Sequence, residues 1–119
     1  MTTEQMPQWW QGTHHEWIAF QTLESMGRQH NRDFIYQPES EEKIKFKFIN
    51  PEDLGINIVG FMQNYESGFD ETAINMLSKQ QLMGIGIQLI FIEDVDLQQD
   101  ATYYIEEALK YRDHSHMGS

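Results

Sequence analysis

The sequence predicts an α+β domain: a mainly antiparallel sheet of about four strands, with an N-terminal and a C-terminal helix packed on one face. Three observations carry this. Near each end lies an apolar stripe of helical spacing behind a capping signal, at Thr13 and at Asp96. Between them, Ile44, Phe46 and Phe48 alternate with Lys43, Lys45 and Lys47, and Met83, Ile85, Ile87, Leu89 and Phe91 alternate farther on. The chain has 119 residues, 39% of them hydrophobic, enough for one core and too few for two.

Residues 1–12 are polar apart from Met6 and Trp9-Trp10, and Pro7 and Gly12 disfavour a regular element, so they read as a flexible arm. A single domain follows over 13–112. Thr13 and Glu16 have capping-box spacing, and the helix behind them carries Trp17, Phe20 and Leu23 on one stripe, widened by Ile18 and Met26. Gly27 supplies a left-handed stop. Phe34-Ile35-Tyr36 reads as a short strand, closed by Gln37-Pro38 and an acidic loop. The lysine-faced strand after it pairs with Ile56–Met62 across the turn Asn50–Gly55. Residues 63–71 read as a loop, and 72–81 suit either a helical turn or an extended approach. Leu82–Ile92 reads as a long strand, with Gly84 and Gly86 marking a bend or a close backbone approach. Asp96 then opens a helix with Gln99 at its third position and Leu97, Ala101, Tyr104, Ile105 and Ala108 on its inner stripe. The expected core is Trp17, Phe20, Leu23, Ile44, Phe46, Phe48, Ile85, Ile87, Leu89, Phe91, Tyr104 and Ile105. Residues 113–119 read as a tail, and within 114–119 His-Met and Gly-Ser are what two common vector junctions encode, so that stretch is either a cloning remnant or native.

Nineteen acids face eight Lys and Arg, for a net charge of -11. Phosphate contacts need clustered cations, so specific nucleic-acid binding by this surface is not expected. The absence of Cys excludes disulfides, thiolate metal sites and Cys nucleophiles. The N-terminus lacks the basic residues and apolar run of a secretory signal, and the most apolar stretch is far short of the roughly 20 residues that cross a bilayer. No membrane partner is expected.

Candidate chemistry is sparse. Adjacent helical histidines point about 100° apart, so His14 and His15 cannot share an ion as an i,i+4 pair does. His30 reads as an inert loop histidine. Glu93, Asp94, Asp96 and Asp100 lack the glycine and alternating ligands of a calcium loop, and acids are favoured at a helix start anyway. Gly84-Ile85-Gly86 sits in a strand pattern with no third glycine opening a helix, a poor nucleotide signature. No catalytic, cofactor-binding or metal-ligating residue is assigned, and the chain reads as non-enzymatic.

More telling are apolar groups placed where a polar surface is expected. Trp9, Trp10, Tyr65, Phe69, Met76 and Leu77 lie in or beside irregular segments, and aromatic residues and Met are enriched at interfaces. Lys43, Lys45 and Lys47 form the concentrated positive strip of an acidic chain, suited to meet acids of an adjacent subunit. These nine residues are the expected interface.

In segment order the chain resembles the tail-terminator and neck proteins of tailed bacteriophages. The runs that carry it are Gly55–Met62, Asn64–Glu71 with its acids, Met83–Ile92 and Asp96–Tyr111, behind the capped N-terminal helix. The likeness spans most of residues 14–111; the lysine-faced strand and the Trp9-Trp10 arm have no counterpart in it. It implies a ring-forming structural protein, usually hexameric, at the tail end or neck, located in the virion or, before assembly, in the host cytoplasm. It implies no catalytic residues and no cofactor. An acidic lumen would repel passing DNA, which agrees with the charge. A second reading comes from another class: a small acidic inhibitor or immunity protein that blocks a nuclease or other nucleic-acid-binding enzyme through electrostatically steered association.

Overall fold

The computed structural model describes residues 6–39, 44–60 and 69–115, with the backbone alone for 69–76. Lys43 and Tyr65 lie outside the described residues, as do the side chains of Phe69 and Met76. The order is α1 (His14–Ser25), β1 (Phe34–Tyr36), β2 (Phe46–Phe48), β3 (Leu54–Val59), α2 (Phe69–Gly84), β4 (Gln88–Glu93), α3 (Asp94–Gln99) and α4 (Ala101–Leu109). The strands form one sheet in the order β1-β2-β3-β4. The fold is α+β, and the sheet is mixed, mostly antiparallel. β1 pairs with β2 and β2 with β3 antiparallel, whereas β3 and β4 run parallel from Leu54↔Gln88 to Val59↔Glu93. A parallel pair needs a crossover connection, and α2 lies within it.

The start of α1 and the ends of α1, α2 and α4 have local causes. The Thr13 hydroxyl accepts from the Glu16 amide and the Glu16 carboxylate from the Thr13 amide, both at 3.1 Å, so the capping box is complete. α1 ends in a Schellman turn: Gly27 has φ +89°, and Arg28 N–H reaches the Leu23 carbonyl at 3.0 Å. The same turn closes α2 at Gly86, also at φ +89°, with Ile87 N–H on the Leu82 carbonyl at 2.9 Å. It closes α4 at Tyr111, φ +66°, with Arg112 N–H on Glu107 at 2.9 Å.

The second of these turns overturns the long strand expected over Leu82–Ile92. Gly86 at φ +89° closes a helix rather than continuing a strand, with its N–H on Met83 and that of Ile87 on Leu82, so the run divides into the last turn of α2, a reversal, and β4. Met83 and Ile85, expected inward, are 55% and 70% exposed. The C-terminal helix begins at Asp94 rather than Asp96 and breaks at Asp100, whose extended backbone lets its side chain cap α4 on Tyr103 N–H at 3.1 Å.

The sheet buries both faces. On one, Phe34, Phe46, Phe48, Leu54, Ile56, Ile90 and Ile92 meet Trp17, Ala19, Phe20 and Leu23 of α1, Leu97 of α3, and Ile105 and Ala108 of α4. On the other, Val59, Leu89 and Phe91 meet Leu82 and Ile87. Ile44 belongs to this second cluster, not beside Phe46 and Phe48 as the alternation implied, because the chain bends at Lys45 before β2 starts. Tyr104 is only partly buried against the first cluster. The packing continues past the expected boundary at 112: Ser115 is buried, and Asp113 accepts the Phe91 amide at 3.0 Å. Among the described residues, no helix is long and apolar enough to cross a membrane.

Candidate interaction surfaces

The N-terminal segment shapes an aromatic pocket. Pro7 opens a turn that Trp10 N–H closes on the Pro7 carbonyl at 3.0 Å, and the Trp10 indole N–H then donates to the Thr13 carbonyl at 3.0 Å. These bonds lay the Trp10 ring against Tyr36, stacked at 4.4 Å and 17°, and against Trp17 and Phe20 at 4.9 and 5.3 Å. Trp10 is therefore half-buried on the core, while Trp9 stays 64% exposed with its edge toward Trp10 and Trp17. Gly12 makes the closure possible: a Cβ there would fall 1.8 Å from the Tyr36 hydroxyl oxygen.

Beneath the ring stack, the Tyr36 hydroxyl donates to the Glu16 carboxylate, tying β1 to the first turn of α1. Burial, and then that carboxylate, push the Tyr36 phenol well above its usual range. Trp9, Trp10, Gln11, Phe20, His30, Tyr36 and Pro38 line a cavity of about 170 Å³ at the surface.

A second cavity, of about 390 Å³, opens where α2, β4 and the C-terminal segment meet, lined by Lys79, Met83, Gln88, Tyr111 and Asp113 among others. Lys79 Nζ lies 3.5 Å from the Asp113 carboxylate and 5.8 Å from the Phe91 ring centre. Lys79 and Asp113 thus pair across this cavity. The Tyr111 hydroxyl donates to Asp53, and that bond pushes its phenol up to about 12.

The expected interface residues fall in three places. Trp9 and Trp10 belong to the aromatic pocket. Leu77 is 55% exposed on α2, and Met83 and Ile85 at the end of that helix are exposed with it, although the sequence placed both facing inward. Lys45 and Lys47 are half-buried; Lys45 donates to the Pro38 carbonyl at the rim of the aromatic pocket, and Lys47 lies opposite Ile35 and Gly55. Sequence reasoning missed His30, Tyr36 and Pro38. A loop histidine, the end of a three-residue strand and a loop proline share no periodicity, and only the packing of α1 on β1 gathers them.

His14 and His15 stand edge to face at 5.7 Å, and His15 is within 3.4 Å of Gln98 on α3. Among the described residues, no group of three or more His, Asp or Glu is arranged to hold a metal ion. Asp94, Asp96 and Asp100 instead sit at the starts of α3 and α4, where Asp94 accepts the Val95 amide and Asp100 caps α4. No protein-family model, no curated protein and no solved structure matches the chain.

Proposed function

We propose that this chain is a non-enzymatic structural subunit that works through protein–protein contacts, and that it forms a ring at the tail end or neck of a phage particle, in the virion or in the host cytoplasm before assembly. The observation that carries the contact role is the exposure of Leu77, Met83 and Ile85 along the last turns of α2 and the reversal after it. A chain of net charge -11 repels its own copies, so association calls for apolar anchors or a basic strip facing an acidic one. The half-buried Lys45 and Lys47 and the acids of α3 and α4 offer the second kind of contact. A head-to-tail interface between unlike patches closes into a ring when its rotation closes, and otherwise builds an open filament.

The ring and its phage setting rest on the family resemblance. Of its runs, Gly55–Met62 begins on β3 and Asp96–Tyr111 covers most of α3 and all of α4, while Met83–Ile92 is divided between the end of α2 and β4.

A second reading, an acidic inhibitor of a nucleic-acid-binding enzyme, is favoured by the exposed Val95, Asp100, Tyr103 and Glu106 of α3 and α4, apolar anchors among acids. The test is mass in solution, alone and after assembly with particle components, for the parent chain and for Leu77→Asp with Met83→Asp. Loss of a closed assembly in the double variant supports the ring. A tight one-to-one complex with a nuclease, insensitive to the double variant and weakened sharply by salt, replaces the ring by the inhibitor.

A further inference from the structure

The last turns of α2 and the reversal after them present a surface unlike the rest of this acidic chain. Every exposed residue from Leu77 to Gln88 is uncharged. Lys79, the charged residue of that stretch, is half-buried and paired with Asp113 at 3.5 Å. Two copies at -11 each repel one another wherever acid faces acid, and the exposed residues of this stretch add no charge to such a contact.

Spacing gives the surface a shape. Helical residues seven apart lie on one face, two turns or about 10 Å from each other. Leu77 and Gly84 stand in that relation on α2, both exposed, with exposed Gln81 between them and buried Leu82 on the opposite side. Leu77 is a knob and Gly84 a gap. Gly86 is explained by its φ of +89°, whereas Gly84 is helical without a positive φ, and among the described residues nothing stands within 4 Å of where its Cβ would be. Alanine would favour the helix there, so nothing described within the chain calls for the glycine.

A second copy does. A two-fold axis at Gln80 and Gln81 lies midway between Leu77 and Gly84, so an antiparallel pair of α2 helices sets Leu77 of each copy on Gly84 of the other. A bare glycine admits that close approach. The amides of Gln80 and Gln81 carry donor and acceptor alike and so can pair with their own counterparts at the axis. We infer that the outer face of α2 is a homodimer contact, the same patch meeting itself across a two-fold axis, with Leu77 seated on Gly84 twice over. The inference rests on the contact role proposed above for this patch and not on the ring, whose closure then falls to Lys45, Lys47 and the acids of α3 and α4.

The experiment is sedimentation equilibrium of the full chain at concentrations up to about 1 mM. An association that stops at two copies is expected. Gly84→Leu fills the gap while favouring the helix, and should weaken pairing about ten-fold or more without lowering the melting temperature. Leu77→Ala changes an exposed side chain and should weaken pairing several-fold even if Gly84→Leu fails to fold. Leu77→Ala together with Gly84→Leu exchanges knob and gap, and should recover most of the loss. A chain that stays monomeric, association that grows past two, unweakened pairing in either folded single variant, or no recovery in the exchanged pair overturns the contact. A monomeric chain that still closes a ring with particle components overturns this contact and leaves the ring, whereas a dimer that closes no ring keeps the contact and removes the ring.

Discussion

The Asp113 carboxylate accepts the backbone N–H of Phe91 at 3.0 Å, across 22 residues of sequence, and so covers a donor on the edge strand of the sheet. Edge strands expose unpaired backbone groups that invite pairing with another chain. Here β4 is shielded by the segment after α4, which Asp113 fastens further by accepting from the Ser115 N–H and hydroxyl at 2.8 and 2.6 Å. Lys79 of α2 faces the same carboxylate, so one side chain joins the crossover helix, the edge and the tail.

Asp113→Ala should therefore destabilise the fold by about 1–3 kcal/mol, the cost of leaving a buried amide unpaired. Asp113→Asn keeps an acceptor and should lose less. Urea unfolding measures the difference, and sedimentation should detect self-association of the Ala variant through the uncovered edge. Equal stability of Asp113→Ala and the parent would show that the tail does not protect β4.

The buried Glu107 gives stability a sign with pH. The His114 hydrogen bond at 2.9 Å, aided by Arg112, holds its carboxyl below the ordinary 4.5, against a smaller opposing effect of burial. A carboxyl whose folded value is lowered stabilises the fold fully above 4.5, and that contribution is lost as pH falls through the folded value. Melting temperature from pH 7 to pH 2 should drop less steeply at the acid end in Glu107→Gln than in the parent. An identical acid limb in both would remove Glu107 from the account.

Ile85 and Ile87 stand two residues apart on what reads as one strand face, yet should behave oppositely. Ile85 is 70% exposed, and Ile85→Ser should change stability within about 0.5 kcal/mol. Ile87 is buried against Leu82 and Leu89, and Ile87→Ala should cost about 2–5 kcal/mol. Denaturant midpoints of the two variants decide it, and equal losses would restore the continuous strand.

Gly55 on β3 lies between Lys47 of β2 and Leu89 of β4 and faces Ile44 and Leu89 of the second core cluster. A Cβ there would lie 2.8 Å from Ile44 Cγ2 and 3.3 Å from Leu89 Cδ1. Both neighbours are fully buried, and a β-branched methyl cannot swing aside. Gly55→Ala should cost about 1–3 kcal/mol by overpacking, read as a lowered urea midpoint with unchanged slope.

By itself the sequence determined the features whose cause is local. Thr13 and Glu16 announce the start of α1 because a capping box closes within four residues, and Gly27 announces its end because one left-handed residue suffices. Phe46 and Phe48 announce a buried strand face because alternation alone separates the faces of β2. Only the tertiary structure decided the rest. Gly86 is the same device as Gly27, but it lies between Met83-Gly84-Ile85 and Ile87–Phe91, where period-two spacing persists across a helix end, a reversal and a strand. What separates them is long-range: β4 pairs parallel with β3, which requires a crossover, and Ile87 packs under Leu82 while Ile85 faces solvent. The aromatic pocket is equally non-local, since Trp10, His30 and Tyr36 meet only when α1 docks on β1. Asp113 looked like the start of a disposable tail, and the open edge of β4 gave it a partner.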